Sequence, residues 1–193
     1  MHNLVKLKQL RTLVISKLIA EFTRTLCASI EQMNKLEFLY LISASDDDIL
    51  DLQTISYPPR FLRCLAYEGK ELHVEEGGFP KLKLLEMRKL NGLNGLRIDD
   101  GALPLLEKLR LGPSPLVKEI PHDIKHLRNL KLLHFYDMPN EFVLKAQPQG
   151  SRSGPDYHKV QHIPSVLFGY SVGPWAHDTY QLGESDLLER LQN

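Results

Sequence analysis

"HLRNLKLLHFYDMP", residues 126–139, spaces its apolar residues unevenly: Leu127, Leu130, Leu133 and Phe135 step by three, three and two. Three is a helix-like interval and two a strand-like one, so a single copy leaves the local structure open. The same rhythm returns as Leu7, Leu10, Leu13, Ile15 and as Met33, Leu36, Leu39, Leu41. It continues as Pro59, Leu62, Leu65, Tyr67, then Phe79, Leu82, Leu85, Met87, then Leu103, Leu106, Leu109, Leu111.

The second members of these sets, at positions 10, 36, 62, 82, 106 and 130, are separated by 26, 26, 20, 24 and 24 residues. An internal repeat in the twenties around L-x-x-L-x-L is the signature of a leucine-rich repeat. One motif then carries both intervals, because the chain leaves a convex-side segment, turns and enters a short strand. The expected fold is an α/β solenoid, a leucine-rich-repeat horseshoe. Short parallel strands line its concave face, and helix, turn and loop segments line the convex side. The array of about six repeats is expected over residues 1–140, and an irregular tail or cap over residues 141–193. Each repeat is expected to bury three apolar side chains, which stabilise it only when a neighbour covers them.

Segments between the strands differ. Residues 21–33 read as a helix of about three turns. "SASDDDILDLQTI", residues 43–55, places Ser45 or Asp46 as a helix cap. "AYEGKELHVEEGGFP", residues 66–80, is short of convex leucines and reads as a loop with the poorest stacking in the array. "KAQPQGSRSGPD", residues 145–156, reads as an exposed loop, and "ESDLLERLQN", residues 184–193, as a short amphipathic helix.

The 193 residues are 42% hydrophobic, with 24 basic and 24 acidic side chains and a formal net charge of zero. That balance argues against a nucleic-acid or membrane-surface partner, which would favour a strongly basic chain. Neither a signal peptide nor a membrane-inserted helix is expected, because lysines and arginines punctuate the N-terminal residues. Two cysteines, Cys27 and Cys64, are too few for a disulfide scaffold, and no N-x-S/T sequon occurs. A cytoplasmic, reducing compartment fits. Cys64 reads as a small, half-buried strand residue.

Chemistry-bearing motifs are sparse. Asp46, Asp47 and Asp48 lack the glycine and glutamate that complete a calcium loop, and helix capping accounts for them. His158 and His162 stand four apart, but zinc needs further ligands; His177 and Asp178 are the nearest in sequence, and Pro164 ends any helix early. There is no phosphate loop, dinucleotide fingerprint or nucleophile elbow. No catalytic residue, cofactor or metal is expected, and no enzyme activity.

Outward strand positions are the candidate contact surface. They are Thr12, Val14 and Ser16; Phe38, Tyr40 and Ile42; Ala66 and Glu68; Leu84, Glu86 and Arg88; Lys108, Arg110 and Gly112; Leu132, His134 and Tyr136. Aromatic residues and arginine supply most interface hot spots. The candidate partner-binding residues are therefore Phe38, Tyr40, Arg88, Lys108, Arg110, His134 and Tyr136.

Several stretches together resemble a known family: "LRTLVISKL", "LCASIEQMNKLEFLYLISASDDDILDL", "FLRCL", "EEGGFPKLKLLEMRKLNGLNGLRIDDGALPLLEKLRLGPSP", "LRNLKLLHFYDMPNEFV" and "DYHKVQHIPSVLF". They look like the C-terminal part of plant intracellular immune receptors, the nucleotide-binding, leucine-rich-repeat resistance proteins of the coiled-coil class. The resemblance implies a domain that recognises a pathogen effector or a guarded host protein and holds a nucleotide-binding domain inactive. It places the chain in the cytoplasm, with the inner face of the plasma membrane reachable through partners. It also implies a truncated receptor. The sequence carries no coiled-coil or nucleotide-binding segment, and further repeats are missing between "FLRCL" and "EEGGFPKLK". The alternatives are a free-standing scaffold or adaptor and a non-functional truncated product.

Overall fold

A computed structural model describes residues 8–44, 55, 57–68, 71–88, 95–148, 153–173 and 176–192. Ten strands are present among them: β1 Thr12–Leu18, β2 Phe38–Ser43, β3 Cys64–Glu68, β4 Leu72–Val74 and β5 Leu84–Arg88, then β6 Leu96–Ile98, β7 Lys108–Leu111, β8 Leu132–Tyr136, β9 Ser165–Ser171 and β10 His177–Gln181. Four helices accompany them: α1 Thr23–Glu31, α2 Asn140–Ala146, α3 Tyr157–Val160 and α4 Ser185–Gln192.

Eight strands form one sheet in the order β1-β2-β3-β5-β7-β8-β9-β10. Every pairing from β1 to β9 is parallel, and only β10 runs antiparallel, against β9. The fold is thus α/β with a mostly parallel sheet and few helices, compatible with a leucine-rich-repeat solenoid.

Backbone hydrogen bonds explain the three-three-two rhythm. In the five sets from Met33 onward, the amide of the second residue donates to the carbonyl of the first: Leu36 to Met33 (3.0 Å), Leu62 to Pro59 (3.0 Å), Leu82 to Phe79 (3.1 Å), Leu106 to Leu103 (3.0 Å) and Leu130 to Leu127 (3.1 Å). The first step of three is therefore a closed turn. The step of two is the strand, where alternate side chains share a face. One carbonyl per repeat also accepts two amides from the next. Arg11 takes Glu37 and Phe38, Glu37 takes Arg63 and Cys64, and Lys83 takes Glu107 and Lys108. The carbonyl of Glu107 takes Lys131 and Leu132 in the same way.

The ladder residues form the core. Leu39, Leu65, Leu85, Leu109 and Leu133 are each 0% exposed. Each such fully buried aliphatic side chain stabilises the array by roughly 1.5–3 kcal/mol.

Three expectations are corrected. Residues 66–80 are not merely a loop: Leu72 and Val74, both buried, sit on β4, which pairs in parallel with β6 as a second, two-stranded sheet. His73 alternates outward between them and meets Asp99 at 2.9 Å.

The rhythm also does not stop at residue 141. Val160, Ile163, Val166 and Phe168 repeat the steps of three, three and two, all buried, and the Ile163 amide donates to the Val160 carbonyl at 2.9 Å. This seventh set lies beyond the boundary drawn at residue 140, and its strand β9 aligns in register with β8. Its valines and isoleucine serve where earlier copies use leucine, since a ladder position needs bulk and not one side-chain shape.

Third, the loop expected from Lys145 begins inside α2, whose Phe142, Val143 and Ala146 are buried. The Phe142 ring meets Phe135 edge-on at 4.9 Å, and Phe168 stacks on Phe135 at 5.5 Å.

The helix expected over residues 21–33 is present as a 3₁₀ turn, Ala20–Phe22, running into α1. The return before β8 is a 3₁₀ helix, His122–His126. The capping segment at Ser45 and Asp46, and with it the Asp46, Asp47 and Asp48 run, lies outside the described residues.

Candidate functional site

Register fixes which outward side chains share a row. One row runs Thr12, Phe38, Cys64, Leu84, Lys108, Leu132 and Ser165. The next runs Val14, Tyr40, Ala66, Glu86, Arg110, His134 and Leu167. Beyond it Glu68 aligns with Arg88, and Tyr136 with Gly169. All seven candidate contact residues therefore lie on one face of the main sheet, although they are up to 98 positions apart in sequence.

They are not equally available. Phe38, Arg88 and Lys108 are exposed, and Tyr40, Arg110 and Tyr136 are half-buried. His134 is only 9% exposed, so it does not stand out as a contact residue. Its ring lies 3.9 Å from that of Tyr136. Gly169 makes room for the pair: a Cβ there would sit 2.9 Å from His134 Nε2 and 3.0 Å from Tyr136 Cδ1. Burial, and then the positive charge of Arg110, push the His134 imidazole down to about 4, so it is neutral near pH 7. Burial also raises the Tyr136 phenol.

Glu86, not in the candidate set, organises the centre of the face. Its Oε1 accepts from Arg88 Nη2 at 2.8 Å and Nε at 3.1 Å, and its Oε2 faces Arg110 Nη1 at 3.6 Å. Glu68 Oε1 lies 4.0 Å from Arg88 Nη1. Two carboxylates and two guanidinium groups thus alternate across β3, β5 and β7. A signal for Glu86 was present in the sequence, where it alternates with Arg88 on one strand. Its pairing with Arg110 needed the inter-strand register.

Cys64, expected half-buried, is 4% exposed. Its thiol donates to the Tyr40 hydroxyl at 3.7 Å, and burial raises it above the usual thiol range. Beside it, Ala66 floors a hollow of about 280 Å³ lined by Tyr40, Ile42, Glu68, Glu86 and Arg88 together with Leu41 and Tyr67.

Toward the C-terminal edge, the Asp137 carboxylate accepts the Ser171 amide and hydroxyl, each at 2.7 Å. The Ser171 hydroxyl in turn lies 3.3 Å from His177 Nδ1. The serine stands between acid and imidazole, so the imidazole is not oriented as a base by the carboxylate, as a nucleophilic triad requires. Among the described residues no group of three or more His, Cys, Asp or Glu side chains is placed to hold a metal ion. His158 and His162 therefore gain no third ligand there. Among the same residues no helix is long and apolar enough to cross a membrane.

A turn-and-strand repeat with a hydrophobic ladder beneath and a mixed aromatic and charged face above defines a repeat protein of the α/β class. By sequence, the chain is a relative of plant disease resistance proteins. Disease resistance protein RPP8 of Arabidopsis thaliana is 35% identical over 103 residues, covering 53% of this chain and 11% of that protein. Disease resistance protein RPH8A, from the same plant, is 30% identical over 132 residues, covering 68% of this chain and 14% of that protein. Disease resistance RPP8-like protein 3 is 33% identical over 107 residues, covering 55% and 11%. The chain thus spans about one-seventh or less of the length of these relatives. No family model matches it.

Proposed function

We propose that the chain is a non-enzymatic leucine-rich-repeat recognition domain acting in plant defence, and that it works inside the cell as part of a receptor of the nucleotide-binding class. The observation that carries this reading is the outward row on the parallel strands. Beneath it the ladder repeats Leu, Met, Tyr and Phe, while the row itself runs Val, Tyr, Ala, Glu, Arg, His and Leu with no repetition. A periodic scaffold carrying an aperiodic face can present different side chains without refolding, which suits selection for recognition. The names of its relatives support the defence role.

The partner is a protein: a pathogen effector, a guarded host protein, or the nucleotide-binding domain that the repeats hold inactive. Zero net charge fits a protein partner better than a polyanion. The test is recovery of candidate effectors, host proteins and nucleotide-binding regions of relatives on the purified chain, compared with Arg88→Glu and Arg110→Glu variants. Charge reversal should reduce recovery of the true partner by tenfold or more, since a like charge opposite a matched one costs several kcal/mol. Unchanged recovery of every partner would remove the open face from the recognition role.

A further inference from the structure

The hollow over Ala66 exists because the smallest side chain in its row stands between Tyr40 and Glu86. One wall is apolar: the Tyr40 ring, Ile42 and the Ala66 methyl group. The other is charged: Glu68, Glu86 and Arg88. Both glutamate side chains are only 18% exposed, and Arg88 is tied to Glu86 through two nitrogens. The Tyr40 hydroxyl accepts from the Cys64 thiol, which does not line the hollow. The walls are thus ordered before anything binds, which lowers the cost of binding.

Three kinds of side chain could enter. A purely aliphatic or phenyl group would strip water from two carboxylates and return no hydrogen bond, which is unfavourable. A guanidinium or ammonium group would compete with Arg88 for Glu86. An aromatic ring carrying one donor satisfies every wall at once. Its face packs on Tyr40 and Ala66 and lies beside the Arg88 guanidinium, while its O–H or N–H reaches a carboxylate. Apolar surface continues from the hollow across Val14 (60% exposed), Phe38 (38%) and Ile42 (40%), ready to meet flanking residues of the same partner.

We propose that this hollow is an anchor pocket for a tyrosine or tryptophan side chain presented by the protein partner. The assignment rests on the recognition reading above and names the chemistry that the face selects.

The test titrates the full 193-residue chain with N-acetyl-tryptophanamide, N-acetyl-tyrosinamide, N-acetyl-phenylalaninamide and N-acetyl-argininamide, followed by amide chemical shifts. The tryptophan and tyrosine probes should saturate in the millimolar range, with shifts centred on Tyr40, Ala66, Glu86 and Arg88. The phenylalanine probe should bind about tenfold more weakly, because the carboxylates then lose a donor. Ala66→Leu, whose side chain points outward, should abolish binding with no change in melting temperature. Should that variant unfold, the shift map and probe ranking on the unaltered chain still decide. No saturable shift, equal binding of the phenylalanine probe, stronger binding of the arginine probe, or unaffected binding in folded Ala66→Leu would each overturn the pocket. Silent probes combined with a partner that responds to Arg88→Glu and Arg110→Glu would remove the anchor and leave the recognition reading standing.

Discussion

Replacing Asp156 by alanine should unfasten the seventh repeat from the rest of the array. Asp156 and Lys159 lie one helical turn apart at the start of α3, with side chains only 5% and 9% exposed. Their Oδ1–Nζ distance is 2.8 Å. The other carboxylate oxygen accepts the Ile120 amide at 2.9 Å, and Lys159 Nζ donates to the Ile120 carbonyl at 2.8 Å. One buried ion pair thus satisfies both backbone groups of a residue 36 positions earlier in the chain. Removing the acid leaves a buried ammonium group and an unsatisfied amide. Breaking one side of a buried pair costs roughly 3–5 kcal/mol. Glu119, 3.6 Å from Nζ and partly exposed, takes up some of the charge, which places the expected loss near the lower end, about 3 kcal/mol. For a chain of this size that corresponds to a melting temperature lower by roughly 6–12 °C. Urea unfolding followed by far-UV circular dichroism measures it. The double variant Asp156→Leu with Lys159→Met should recover part of the loss, because no charge is then left buried. A loss below about 1 kcal/mol for Asp156→Ala, or a double variant worse than the single, would refute the clamp.

Three further outcomes can be checked on the same material. Phe168→Ala should cost about 3–5 kcal/mol in the same urea experiment, as for any ladder aromatic, whereas a detached tail would leave the main transition unmoved. Gly112 has φ +118°, and a Cβ there would collide with the Tyr136 carbonyl oxygen, so Gly112→Ala should destabilise by about 3 kcal/mol or more; retention of the wild-type melting temperature would contradict the geometry. His134 is held at about 4 when folded against about 6.5 when unfolded, so the unfolded chain binds the extra proton between those values. Its neutral form contributes full stability above about pH 6.5, and roughly 2–3 kcal/mol is lost as pH falls from 7 to 4.5. His134→Leu should show a correspondingly flatter urea midpoint over that range, and parallel pH profiles for the two proteins would count against a buried neutral imidazole.

Legibility varied with the range of the interaction. The turn-and-strand rhythm was readable because its hydrogen bonds close within three residues and its ladder recurs every 20 to 26 residues. The seventh copy carries the same three-three-two steps in valine, isoleucine and phenylalanine, so a leucine pattern does not contain it. β4 was hidden for a different reason: three residues alternating as Leu72, His73 and Val74 are too few to establish a period, and the strand exists because Leu96, Arg97 and Ile98 lie beside it. The outward rows were legible residue by residue, since side chains alternate along each strand. Which of them remain available was not. His134 and Tyr136 look equivalent in sequence, but Gly169 on the neighbouring strand lets the histidine sink beneath the tyrosine.

The sequence alone determined the parallel array, its buried ladder and the face on which side chains vary, because these follow from local turns and a spacing written in consecutive residues. Only the tertiary structure decided the Glu86 network with Arg88 and Arg110, the hollow over Ala66, and the clamp between Ile120, Asp156 and Lys159. Each of these joins different strands or segments, and their separation in space depends on how many residues each repeat spends on its far side. That number varies from one repeat to the next, and the packing of the whole array absorbs the difference.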